Sequence, residues 1–269
     1  MSPAASTSGL WQRAVQVGHR GDIAEAREIL SDLDDAVGPS RDPDDRALVS
    51  LAQSTRASWL RQSGRHDLAH RLDGRAVYTA VDAAGPPPVS GWPRAALADA
   101  LIGLAADNLG LGRFDASTGL LDEAADVLAA PAETDDWHLD GRLRLRRLWV
   151  AAENALYRGE GERGRQEALA AVTAAADCPS SHHRIKTSLI AAAAAAACGD
   201  TVEATTRARA VVDDAGALAL LPLQWAAWQL LAGLGSDSDA RRRVDETAES
   251  LTESGFFRAP EFGSAVDGG

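Results

Sequence analysis

Six aspartates crowd one short stretch: Asp32-Leu33-Asp34-Asp35, a Gly38-Pro39 break, then Asp42-Pro43-Asp44-Asp45. Clustered carboxylates suit Mg²⁺ or Ca²⁺, so segment 32–45 could serve an all-α metal-dependent enzyme. The plainer reading is a helix end, a solvated loop and a helix start, because the acids flank a break and share no helical face. Cys178-Pro179-Ser180-Ser181-His182-His183 carries zinc-ligand types. A structural zinc takes four ligands and no second cluster lies nearby, which favours a capping loop. His66 and His70 stand at i, i+4, where two imidazoles share a helix face, but no third ligand accompanies them. Arg142-Leu143-Arg144-Leu145-Arg146-Arg147 is a basic helix start. It could dock an acidic peptide or lay arginine stems over its leucines, and Arg146 is the member assigned to a partner. Arg241 to Arg243 balance Asp237, Asp239, Asp245 and Glu246 on a solvated face. No phosphate-cradling glycine loop and no nucleophile elbow is present. The expectation is a protein that is not an enzyme and carries no cofactor and no metal.

Composition bounds the scaffold. The chain has 269 residues, 45% of them hydrophobic and only 5% aromatic. Much of the apolar content is alanine, the best helix former, which suits closely packed helices better than a sheet. Net charge is 27 − 39 = −12, so phosphate backbones and anionic membranes are repelled, and no nucleic acid or membrane partner is expected. Lys186 is the only lysine. The first residues lack a basic, apolar leader, and the longest apolar run, Leu189 to Cys198, is short of the roughly 20 residues that span a bilayer. A cytoplasmic location with Cys178 and Cys198 as free thiols is expected.

The elements that must position these residues announce themselves by punctuation. Ala14 to Leu30 reads as helix, tight Gly21-Asp22 turn, helix, with small Ala26 five residues after the glycine. Variants recur as Gly64 with Ala69, Gly112 with Ser117, Gly159 with Gly164, Gly199 with Ala204 and Gly235 with Ala240. A small residue there lets the second helix lean closely on the first. The intervals between turn glycines suit helix-pair repeats, each of which buries its apolar face only by stacking on neighbours. The pattern predicts about twelve helices: a short disordered tail over 1–7, a repeat domain over 8–254 with a possible seam at 85–91, and a tail over 255–269 containing Phe256, Phe257 and Phe262. In the Ala191–Ala197 run, Ala193→Leu is expected to cost on the order of 1 to 3 kcal/mol by overpacking.

A small residue seven before the turn glycine, a large apolar one four before it and a small one five after (Ala14, Val17, Gly21, Ala26; Ala57, Leu60, Gly64, Ala69) resemble tetratricopeptide-like repeats in degenerate form. The resemblance implies an all-α antiparallel helix-pair array, an α-solenoid, whose first helices line a concave face that binds a protein or peptide. Counting back from each glycine places Arg61, Asp99, Arg146, Trp149, Glu153, Lys186, Trp225 and Gln229 on that face, with Trp11, Ser58, Ile102 and Leu189. Arg146 and Lys186 would read a carboxylate, with Trp149 and Trp225 as apolar anchors. The expected function is a non-catalytic binding scaffold. The alternatives are a ligand-sensing module acting in trans on a transcription factor or kinase, and the metal-dependent enzyme above.

Overall fold

A computed structural model describes residues 6–84, 91–129, 135–235 and 238–257. Residues 1–5, 85–90 and 258–269, together with Asp237, lie outside the described residues; so do most of the expected seam and Phe262. Among the described residues the chain is all-α, twelve helices in antiparallel pairs: α1 (Thr7–His19) and α2 (Ile23–Val37), α3 (Pro43–Gln62) and α4 (His66–Ala84), α5 (Gly91–Gly110) and α6 (Phe114–Ala129), α7 (Gly141–Tyr157) and α8 (Gly161–Ala174), α9 (Ser181–Ala197) and α10 (Thr201–Ala217), α11 (Leu221–Leu234) and α12 (Ala240–Glu253). Consecutive helices pack on one another in a solenoid-like array. None is long and apolar enough to cross a membrane.

Several starts are set by side-chain caps. Asp22 Oδ1 accepts from the Glu25 N–H at 3.2 Å, and Asp42 Oδ1 from those of Asp44 and Asp45 at 2.9 and 3.3 Å. Asp200 Oδ1 takes the Glu203 N–H at 3.0 Å. Each satisfies amides that no intrahelical carbonyl can reach. The acidic stretch is thereby divided. Asp42 caps α3, and Asp34, near the end of α2, pairs with Arg56 at 2.6 Å. Among the described residues no three His, Cys, Asp or Glu side chains are grouped to hold a metal. His66 lies against the Gly110 backbone, and Arg242 and Arg243 pair with Glu246 on an exposed face. Helix α7 does not begin at Trp137. Asp136 instead folds 137–140 into a turn, its carboxylate accepting from the His138 N–H at 2.8 Å.

The punctuation works as its chemistry suggests. All six turn glycines have positive φ, from 64° to 93°. Ala26, Ala69, Ser117, Ala204 and Ala240 are fully buried, and Gly164 is buried too. A Cβ at Gly164 would lie 2.5 Å from Leu156 Cδ2 and 3.2 Å from the Ala152 carbonyl, so α8 meets α7 at a distance only glycine permits. Ala14, Ala57, Ala105, Ala152 and Ala192, seven before five of the glycines, have no exposed surface. Ala193 is half-buried while Ala192 is sealed, so the overpacking penalty belongs one position earlier. Ala192→Leu should lose about 1–3 kcal/mol of unfolding free energy in urea, and Ala193→Leu less. The reverse order would mean that α9 packs on its neighbours through the Ala193 side.

The odd-numbered helices form the inner layer. Contacts run α1–α3–α5–α7–α9–α11 along it, and each even helix packs outside its partner. The array also closes on itself. Leu251 of α12 and Phe256 share one core cluster with Trp11, Leu30 and Leu51, while Leu221 and Trp225 of α11 pack against it. Ser254 Oγ donates to the Gly21 carbonyl at 2.7 Å. Helix α1 reaches across the interior: Trp11 meets the Trp92 ring at 5.9 Å and the His138 ring at 6.0 Å, and His19 stacks on His182 of α9 at 3.5 Å. The concave face is therefore narrowed to a partly open hollow between the inner helices.

Candidate functional site

The hollow holds about 140 Å³ and draws its lining from all six inner helices. Two matching contacts fix its walls. Trp11 Nε1 donates to Thr55 Oγ1 at 3.1 Å, and Trp149 Nε1 donates to Thr187 Oγ1 at 2.9 Å. Each threonine hydroxyl in turn donates to the carbonyl four residues back, at 2.7 and 2.8 Å. Each tryptophan is thus locked to a neighbouring inner helix with its polar atom satisfied. Gly18 brings α1 against α3, since a Cβ there would stand 2.6 Å from Trp59 Nε1.

The chemistry of the lining is cationic. Arg61, Arg142, Arg146 and Lys186 face the hollow, against one lining carboxylate, Asp99. Arg142 and Arg146 both bond to Asp99, Arg142 at 3.1 Å. Arg142 also lies over the Trp11 ring at 5.1 Å. Arg61 reaches backward: its Nε donates to Asp107 at 2.7 Å, and its Nη2 to Asp73 and to the Gly103 carbonyl. Ser54 Oγ completes that cluster with a 2.7 Å bond to Asp73. The Lys186 ammonium rests over Trp149 at 5.0 Å and makes no hydrogen bond or ion pair among the described residues. The positive ends of Arg142, Arg146 and Lys186 thus point inward, while that of Arg61 turns back to Asp73 and Asp107, which stand behind the lining with Glu153.

The titrating groups register this field. Burial, then Lys186, Arg142 and Arg146, push His19 down to about 3. Burial, then His19 and the same cations, push His183 down to about 2. His182 is also held well below its usual range by burial and by His19, and its Nδ1 has no hydrogen-bond partner among the described residues. Burial pulls Arg142 down to about 9 and, with repulsion from Arg61, Arg146 to about 10, so both stay charged at neutral pH. Burial lowers Lys186, Glu153 opposes the shift, and Arg146 and Arg61 add to it.

The three imidazoles make the fold acid-sensitive. An unfolded histidine titrates near 6.5. Between that pH and about 3 the unfolded chain takes up a proton that His19 refuses in the fold, so stability falls as pH falls. At pH 5 this amounts to about 2 kcal/mol from His19 alone. The melting temperature should drop between pH 7 and pH 5, and His19→Gln should flatten that drop. Parallel slopes for the two proteins would remove His19 from the acid response.

Of the residues placed on the concave face from the repeat spacing, the fold brings Arg61, Asp99, Arg146, Trp149 and Lys186 to the one hollow, with Trp11 and Ser58. Glu153, one turn beyond Trp149, is raised by burial and lowered by Lys186 and Arg61, and it stands beside the site. Trp225 turns away to the Phe257 ring at 5.4 Å, and Gln229 is exposed. Trp149 is a wall only 4% exposed, rather than a free anchor. His19, Arg142, His182 and His183 are additions. Ser180 caps α9 as a capping loop requires, its Oγ 3.4 Å from the His183 N–H, yet both following imidazoles turn inward. The signal was the helical period, since 182 and 183 lie four and three residues before Lys186, and 142 lies four before Arg146.

No family model matches the chain, and no curated protein matches it significantly.

Proposed function

We propose that this is a non-catalytic, tetratricopeptide-like binding module whose guest occupies the hollow between the inner helices. The observation that carries this reading is the inward-facing set of cations and tryptophans drawn from α1, α3, α7 and α9 around one cavity. Separate helices converge there on a space left unfilled, whereas a structural core would close it. Its size favours a compact guest. An engineered protein cavity that admits benzene measures about 150 Å³, close to the present hollow. Closure of the array by α12 against α1 and α2 narrows the concave face to this hollow, which suits a compact guest better than an extended peptide. The ligand-sensing form of the binding reading is therefore preferred to a scaffold for long segments. Arg146 and Lys186 remain the residues assigned to recognition.

Ser58, half-buried on the lining, gives the test. A thermal-shift screen of metabolite-sized compounds should yield stabilisers of the wild-type protein that leave Ser58→Trp, its hollow filled, unmoved. Arg146→Glu should abolish the same shifts while circular dichroism keeps its helical signal. Stabilisers acting equally on wild type and Ser58→Trp would move the binding surface outside the hollow and overturn the proposal.

A further inference from the structure

The lining specifies the guest more narrowly, an inference that rests on the binding role just proposed. Its walls are of two kinds. One is apolar: Trp11, Trp59, Trp149, Val15 and Leu223. The other is the inward set of cations, of which Lys186 has no acidic partner within ion-pair distance among the described residues. Glu153 attracts this ammonium without forming an ion pair with it, Arg146 and Arg61 repel it, and an entering anion relieves that repulsion with charge-assisted hydrogen bonds. A bare inorganic anion would satisfy the cations but leave the tryptophan walls in contact with nothing apolar. A neutral apolar guest would leave the ammonium without a partner.

We infer that the hollow takes a small organic carboxylate, its acid group between Lys186 and Arg146 and its short apolar body against the tryptophan walls. His182, with its free Nδ1, and His19, stacked on it, border the same space. Their neutral rings offer further polar atoms at the acid end. The part of the body inside the hollow is limited to about the size of one benzene ring, which favours small free acids over those carried on long chains or on a polypeptide.

Benzoate, benzamide, hexanoate and inorganic phosphate are the probes, read by calorimetry and by the fluorescence of the lining tryptophans. Benzoate or hexanoate should bind saturably at one site per chain. Losing a charge-assisted hydrogen bond in Lys186→Met should weaken that binding by about ten-fold or more. Arg146→Gln provides a second variant that leaves Arg142 on Asp99. Benzamide should bind about ten-fold more weakly than benzoate, or more weakly still, for the same reason. Benzamide binding as tightly as benzoate, phosphate binding in preference to both acids, or no saturable binding by either acid would each overturn the carboxylate assignment. Benzamide binding as tight as benzoate's, or phosphate binding in preference to both acids, that Ser58→Trp abolishes would overturn the assignment while keeping the hollow as the site. Carboxylate binding that survives in Ser58→Trp would overturn both.

Discussion

Arg61→Met should lower the unfolding free energy by about 3–5 kcal/mol, the scale for removing one partner from a buried ion cluster. The side chains of Asp73 and Asp107 have no solvent exposure, and Arg61 is the cation that bonds to both. Methionine keeps much of the stem's volume but leaves two carboxylates in the packing of α3, α4 and α5. Around them little can adjust. A Cβ on Gly103 would already lie 2.6 Å from Asp73, so neither a bulkier residue nor a shift of α5 can shield the charge. Burial raises Asp73 well above the usual carboxylate range, Arg61 opposes that rise and Asp107 adds to it. Without Arg61 the rise grows. A group whose folded pKa is raised gains stability as pH falls, because the fold takes up a proton the unfolded chain does not yet hold. The variant should therefore recover part of its loss between pH 7 and pH 5, on top of the acid response of the histidines. Urea unfolding at both pH values measures this. A loss below about 1 kcal/mol at pH 7 would mean that the two acids share a proton and need no cation.

Gly21→Ala should cost about 2–5 kcal/mol, against about 1–2 kcal/mol for Gly64→Ala. Both glycines hold a left-handed φ, +93° and +79°, which a Cβ makes unfavourable by about 1–2 kcal/mol. They differ in what the new methyl meets. At Gly64 nothing among the described residues lies within 4 Å. At Gly21 it would stand 2.8 Å from Leu251 Cδ2 and 3.4 Å from Pro222 Cδ. Leu251 is fully buried among the residues that join the two ends of the array, so its methyl has nowhere to swing. Overpacking adds about 1–3 kcal/mol. The pair of denaturation curves separates conformational strain from contact. Equal losses would mean that α12 gives way freely.

Much of this architecture was legible because backbone requirements leave local marks. A positive φ asks for glycine, a close helix crossing asks for a small residue at a fixed offset, and an N-terminus asks for Asp or Ser. Gly21, Ala26 and Asp22 carry all three within six residues. The inner face followed from the same count for Arg61, Asp99, Arg146, Trp149 and Lys186. What was not legible depends on partners distant in sequence. Nothing near Trp11 says that its ring meets Arg142, and nothing near His19 says that it stacks on His182. Whether a concave face stays open or is sealed depends on how the small angular steps between pairs add up, and no single residue encodes that sum. Trp225 shows the same limit. It sits on an inner helix by period, yet the Phe256-Phe257 segment draws it to the junction of the array's two ends.

The bond from Ser254 to Gly21 joins positions 233 residues apart in the chain. In an open stack each repeat touches only its neighbours, so the outermost units can fray singly and stability is nearly a sum over units. Here neither terminal pair is an outermost unit. Amides of α1 and α12 should exchange hydrogen only with the global opening, at rates close to those of the middle helices. The number of pairs is also constrained: one pair more or fewer would leave a gap or a collision where the first and last now meet, so such a chain cannot lengthen by simple duplication of a unit.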